Sequence, residues 1–193
     1  MSLRSKLVRL AYERPELRSH LLPIFQEEDT RIKMAAKGTS VLFAQAVLES
    51  PEKFKAWVQS QKGVPSMTGW DFKSHHMTLE FFDKNAKKAL KSAGEPQANI
   101  LKPYAGLIGN SYVVDVVGIA CDDKACAVLI KSELPCTNKF PHITVAVNGV
   151  PPKYSNELLE GGEIIPCRGK FRVKVGFHDG RGDRFELPED YTA

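Results

Sequence analysis

Long apolar runs are missing from this 193-residue chain. The strongest, "VVDVVGIAC", is broken by Asp115, and none approaches the roughly 20 apolar residues that a membrane-spanning helix needs. The N-terminus has arginines but no apolar stretch behind them, which argues against a secretory signal. Cysteine is scarce as well. Cys121, Cys126, Cys136 and Cys167 form no CxxC pair and show no zinc-ligand spacing. They read as free thiols of a reducing, cytoplasmic compartment, and neither a metal nor a membrane partner is expected. Charge of one sign is weak: 27 Lys and Arg against 23 Asp and Glu leave a net +4. That excludes a protein that coats nucleic acid by charge alone, yet it allows an anionic ligand.

What remains is a globular composition of 42% hydrophobic and 26% charged residues, in a length that suits one domain with an extension. Residues 1–34 differ from the rest. Leu3, Leu7 and Leu10 have helical spacing, Pro15 stands where a second helix would start, and Pro23 where it would stop. Residues 1–24 hold five Arg or Lys against two Glu, so +3 of the net charge lies there. Two short amphipathic helices packed on a surface are expected, a nucleic-acid or membrane tether being the other reading. Residues 38–180 read as the main domain and 181–193 as a polar tail. The Arg181-Gly182-Asp183 triplet in that tail reads as chance.

From Gly38 onward strands prevail. "TSVLFAQAVL" reads as a buried strand, with Ser50 and Pro51 as N-cap and first residue of a helix, "PEKFKAWVQSQ". "SHHMTLEFF" alternates as a strand, and "DKNAKKALKSAG" as a short basic helix or a loop. "SYVVDVVGIA" and "KACAVLIK" flank "CDDK", a hairpin signal. "VPPKYSNELLEGG" reads as a loop with at most one helical turn, and "EIIPC" and "KFRVKVGF" as two further strands. The balance is α+β with mainly antiparallel pairing.

Within this pattern one small motif occurs twice. His76-Met77-Thr78-Leu79 and His142-Ile143-Thr144-Val145 lie 66 residues apart, and each opens a predicted strand. Strand alternation puts His and Thr on one face and the residue between them on the other. A half-buried strand with polar residues in water would look the same. Two of only five histidines falling in one tetrapeptide context argues for more. Cleaving a phosphodiester needs a base to activate the nucleophile and an acid to protonate the leaving oxygen. A pair of histidines with ordinary pKa near 6.5 suits both roles without a metal or other cofactor. A threonine hydroxyl can donate to a non-bridging phosphate oxygen. By alternation His75 is expected on the opposite face from His76, as a structural or surface residue, with His20 and His178 likewise outside the site.

"HHMTLEFF" together with "NKFPHITVAVNGVPPKYSNELL" resembles the two-histidine (2H) phosphoesterase superfamily, which is defined by paired His-x-Thr or His-x-Ser motifs. Within it the likeness is to the Swiss Army Knife RNA repair-like branch. It rests on the doubled histidine at 75–76, on Asn138-Lys139 ahead of the second motif, and on Tyr154-Ser155-Asn156 behind it. The resemblance covers about residues 38–178. It implies a bilobal α+β fold, with two antiparallel sheets flanking a cleft and each giving one His-x-Thr strand. It also implies His76, Thr78, His142 and Thr144 as catalytic residues, acting on 2′,3′-cyclic phosphate RNA ends or related cyclic or 2′–5′ linked nucleotides. The N-terminal stretch resembles leader segments found ahead of unrelated domains in phage and bacterial proteins.

Around the motifs, Lys139 is a candidate to approach the substrate phosphate, although a solvated loop lysine reads alike. Tyr154, Ser155 and Asn156 are candidates to return to the cleft mouth, and the Tyr154 ring to stack on a base or to cap the core. Trp70 reads as packing. Lys84, Lys87, Lys88 and Lys91 read as an RNA path or as a solvated face. A monomer without an obligatory protein partner is expected. Three functions compete: a phosphodiesterase of RNA repair or processing, a hydrolase of cyclic oligonucleotide signals that blunts host defence, and a non-catalytic module that binds nucleotides or RNA.

Overall fold

Strand structure begins where small and branched apolar residues replace the basic N-terminal stretch. In the computed structural model, which describes residues 39–192, the first strand is β1 (Phe43–Leu48), and its last five residues are all buried. The expected N-terminal helices lie outside the described residues. Ser50 precedes helix α1 (Pro51–Gln59), where Pro51 supplies the fixed φ of a first turn, but the Ser50 side chain makes no capping bond. Phe54 and Val58, one helical turn apart, are the residues α1 buries.

A two-residue strand β2 (Asp71–Phe72) leads into β3 (His76–Phe81). Asp83 then caps a basic helix α2 (Lys84–Ser92) by accepting the Asn85 and Ala86 N–H groups. The long connection that follows holds a 3₁₀ helix, Gln97–Tyr104, which buries Leu101 and Tyr104. Strands β4 (Ser111–Cys121) and β5 (Ala125–Lys131) form the expected hairpin, its turn tied by Asp122 accepting the Lys124 and Ala125 N–H groups. The second motif opens β6 (His142–Val147). Helix α3 (Tyr154–Gly161), strand β7 (Ile165–His178) and a short β8 (Asp183–Arg184) complete the order.

Three sequence expectations change here. The segment after β6 is a full eight-residue helix, because Ser155, Leu158 and Leu159 find a surface to bury against. "EIIPC" and "KFRVKVGF" are one continuous 14-residue strand. Its Gly169 is an accommodation rather than a break: a Cβ there would sit 2.9 Å from the Trp57 ring. The cysteines are not all free thiols. Cys121 and Cys126 face each other across the β4–β5 hairpin and are joined as a disulfide, while Cys136 and Cys167 remain free.

Every strand pairing is antiparallel. The order β1–β3–β6–β5–β4–β7 returns to β1 through a β1–β7 pairing, so six strands close into a barrel-like ring, with β2 attached to β6 and β8 to β7. The α+β, antiparallel character follows the expectation. The strands nevertheless join one continuous sheet, where two separate sheets were expected. Closure removes the free edges that β1 and β7 would otherwise present. One face of the ring packs Ala46, Met77, Val128, Ile143, Val145 and Val175 into the main core. Among the described residues, no helix is long and apolar enough to cross a membrane.

Candidate active site

The two motif strands lie side by side. β3 and β6 pair antiparallel with Met77 opposite Ile143, the middle residues of the two motifs. One step to either side of that pair, antiparallel register sets His76 beside Thr144 and Thr78 beside His142. Met77 and Ile143 are fully buried in the core. The four His and Thr side chains therefore share the opposite face. The adjoining strands extend that face: Gln45 and Val47 of β1 stand opposite Thr78 and His76, and Leu129 and Ala127 of β5 opposite His142 and Thr144. Two polar strands facing water would leave these residues exposed. Instead His142 is only 8% exposed, and His76, Thr78 and Thr144 are partly buried.

Each histidine has its inner nitrogen engaged. His142 Nδ1–H donates to the Phe140 carbonyl at 2.7 Å, which leaves Nε2 outside that bond. Burial lowers the His142 pKa from its usual value, and the Phe140 contact opposes that fall. His76 Nδ1 lies 3.4 Å from Nδ1 of His75. Its ring stacks on Phe43 at 5.3 Å, and Phe43 in turn stacks on His178 at 5.1 Å. Burial pushes the His76 pKa down to about 4. Positive charge on His75, His178 and His142 acts in the same direction, and Asp183 acts against it.

The threonines are anchored differently. Thr144 Oγ1 and Ser155 Oγ are 3.0 Å apart, and Ser155 is fully buried at the start of α3. A second apolar cluster, including Ala127, Leu158 and Leu159, seats that helix over β5. Thr78 is held through its backbone: its carbonyl accepts from Asn138 Nδ2 at 3.3 Å and from the Cys136 thiol at 3.4 Å.

The remaining candidates are engaged elsewhere. Tyr154 Oη donates to Asp122 at 2.7 Å in the β4–β5 turn. Asn156 is exposed and donates to the Lys153 carbonyl at 3.3 Å. Lys139 is exposed and paired with Glu160 at 2.6 Å. Trp70 is partly buried against the core.

His75 departs from its expected place. β3 begins at His76, so strand alternation does not extend back to residue 75. The His75 ring meets the His76 ring edge-on, with centroids 5.5 Å apart. Its other nitrogen, Nε2, lies 3.1 Å from Asp183 Oδ2. The second Asp183 oxygen accepts from Gln45 Nε2 at 2.6 Å. Sequence reading overlooked Gln45, Phe43 and Asp183. The one signal for Gln45 was a lone amide inside an apolar strand. Asp183 had none beyond the triplet read as chance.

Among the described residues, no group of three or more His, Cys, Asp or Glu is arranged to hold a metal ion. What the face offers is two imidazoles whose Nε2 atoms have no hydrogen-bond partner among the described residues, and two hydroxyls, grouped on adjoining strands. That is an acid, a base and two neutral donors around one small anion. An antiparallel α+β fold presenting such a face has the layout of a phosphoesterase. Residues 70–168 match the family model described as the fungal tRNA ligase phosphodiesterase domain, a stretch that includes both motifs and just over half of the chain. The chain belongs to that family, whose domain is of the two-histidine phosphoesterase type. A search of curated proteins finds no significant match.

Proposed function

We propose that this protein is a phosphodiesterase that opens 2′,3′-cyclic phosphate at RNA ends, with His76 as base and His142 as acid. The observation that carries the reading is the pairing of Met77 with Ile143, which sets both His-x-Thr motifs next to each other on one face. Membership of the tRNA ligase phosphodiesterase family supports RNA ends as the substrate class. With a pKa near 4, His76 is neutral at physiological pH, and its Nε2 can take a proton from water as the oxygen attacks phosphorus. His142 carries the opposite role. In its protonated form Nδ1–H stays on the Phe140 carbonyl while Nε2–H donates to the departing ribose oxygen. Thr78 and Thr144 donate to non-bridging oxygens as charge develops there, Thr144 oriented by Ser155. The two histidines account for both proton transfers and the two threonines for the charge that develops on the phosphate, so the proposed reaction runs without a metal.

The finer assignments belong to the same proposal. The chain acts in RNA repair or processing, as the resemblance to the Swiss Army Knife branch implies. The ring divides into two functional lobes, one around β1 and β3 and one around β5 and β6, each bringing one motif to the cleft. It works in the cytoplasm as a monomer. The test is turnover of 2′,3′-cyclic mononucleotides, cyclic-phosphate RNA and cyclic dinucleotides with chelator present. Hydrolysis of the first two supports the proposal. Hydrolysis of cyclic dinucleotides alone identifies a signal-degrading enzyme, and binding without turnover identifies a nucleotide-binding module.

A further inference from the structure

The two motif histidines share the His-x-Thr pattern but have unlike backing. His142 rests on a peptide carbonyl, a neutral acceptor. Behind His76 stand a second imidazole and a carboxylate, in the order His76 Nδ1, His75 Nδ1, His75 Nε2, Asp183 Oδ2, with contacts of 3.4 and 3.1 Å. Proton positions follow from the end of that chain. Asp183 is an acceptor only, so His75 Nε2 carries a proton toward it. Neutral His75 then has a lone pair at Nδ1, and the proton between the two rings belongs to His76 Nδ1. His76 Nε2 is left unprotonated on the cleft side.

The fold holds Asp183 firmly for this. β8 pairs with β7, with Asp183 opposite His178. Gly176 of β7 has no side chain where the Arg184 carbonyl passes, and a Cβ there would run into it. Gln45, fully buried, ties the other carboxylate oxygen at 2.6 Å. Its own Oε1 has no hydrogen-bond partner among the described residues, so the Asp183 bond is what this buried amide supplies. Buried groups that violate local satisfaction concentrate at functional sites. Gln45, Asp183 and His178 all lie outside the stretch matched by the family model.

We infer that His75 and Asp183 are positioning residues that fix His76 in its Nδ1–H tautomer, with the Asp183 carboxylate steadying the positive charge His76 gains as a base. The inference rests on the proposed phosphodiesterase reading for its functional half; its structural half stands on the contacts alone. Among the described residues, the charged and titratable groups that act on His76 are His75, Asp183, His178 and His142.

The test combines a spectroscopic and a kinetic readout on the full chain. Nitrogen NMR of the imidazoles is expected to show His76 protonated at Nδ1 in the wild type. In Asp183→Asn the new amide donates to His75, His75 presents Nδ1–H, and His76 moves to the Nε2–H tautomer. In kinetics on cyclic-phosphate substrate, Asp183→Asn and His75→Phe are expected to lower kcat about 10- to 100-fold with little change in KM, less than loss of the base itself. The acid limb of the pH profile moves with them. His75→Asn, which keeps an acceptor near the Nδ1 position, is expected to recover most of the rate, whereas His75→Phe keeps only the packing. A wild-type His76 in the Nε2–H tautomer overturns the inference. So does a folded His75→Phe at wild-type kcat while His76→Ala is inactive. A wild type that turns over none of the substrates overturns the proposed function and, with it, the kinetic role of His75 and Asp183.

Discussion

Protonating His76 in the folded chain is costly, and that cost can be measured without any substrate. Its pKa falls from 6.5 to about 4, first through burial and then through the charges on His75, His178 and His142, with Asp183 opposing. At about 1.4 kcal/mol per pKa step, that fall corresponds to roughly 3 kcal/mol. The unfolded chain takes up a proton on this residue below about pH 6.5, and the folded chain only below about pH 4. Stability from this residue is therefore complete above pH 6.5 and is lost as pH falls toward 4. Replacing His76 by Gln removes the titration. Urea unfolding of both proteins between pH 4 and 7 is the assay. Wild type is expected to lose about 3 kcal/mol more than His76→Gln over that window, the carboxylates they share cancelling in the comparison. Parallel stability curves, or a His76 ring that titrates near 6.5 by NMR, would refute the reasoning.

Further outcomes are expected of the site and its support. His76→Ala and His142→Ala should each lower kcat about 10²–10⁴-fold, and the double variant far less than the product, since the two act as one unit. In kcat/KM the pH profile should be bell-shaped, with its acid limb near pH 4 from His76 and its alkaline limb below the ordinary histidine range, because burial also lowers His142. Ser155→Ala leaves Thr144 without its 3.0 Å partner and should cost about 1 kcal/mol of stability, together with a drop in kcat smaller than that of either histidine, read by unfolding and steady-state kinetics. Met77→Ala empties a fully buried position at the β3–β6 junction and should destabilise by about 2–5 kcal/mol in chemical denaturation.

Strand alternation made the motif face legible from sequence. His76 and Thr78 bracket buried Met77, and His142 and Thr144 bracket buried Ile143. The hairpin was equally readable, since Asp122 supplies its turn bonds locally. What depended on distant partners was not. The Arg168-Gly169 step read as a gap between two strands, yet β7 runs through it, paired with β4 along most of its length. Helix α3 is too short to show a period, and it exists because Leu158 and Leu159 meet a cluster that includes Ala127. The Cys121–Cys126 pairing follows from a hairpin register that puts two residues five apart face to face. His75 was misplaced because alternation was carried one residue beyond the strand. Asp183 was invisible because a two-residue strand has no pattern of its own; only its pairing with His178 brings it to the site.

The paired motif is symmetric in sequence, and a reaction with a base on one side and an acid on the other is not. The asymmetry has to come from residues outside the motif, and the structure supplies it on both sides. A carbonyl behind His142 holds Nδ1–H in either protonation state, so that ring can give up an Nε2 proton without turning. A carboxylate behind His76, acting through His75, favours the state in which His76 has just accepted a proton. The burial that keeps His76 neutral at rest strengthens that interaction, since Coulomb attraction grows as water is excluded. A general base has to be neutral before the reaction and to hold the proton as the reaction proceeds, so both a neutral resting state and stabilised charge serve it. They come from different elements of this fold: the packing of Phe43 on β1 against the ring, and the Asp183 carboxylate carried in by β8. Direction in the proposed reaction is thus a property of what stands behind each histidine.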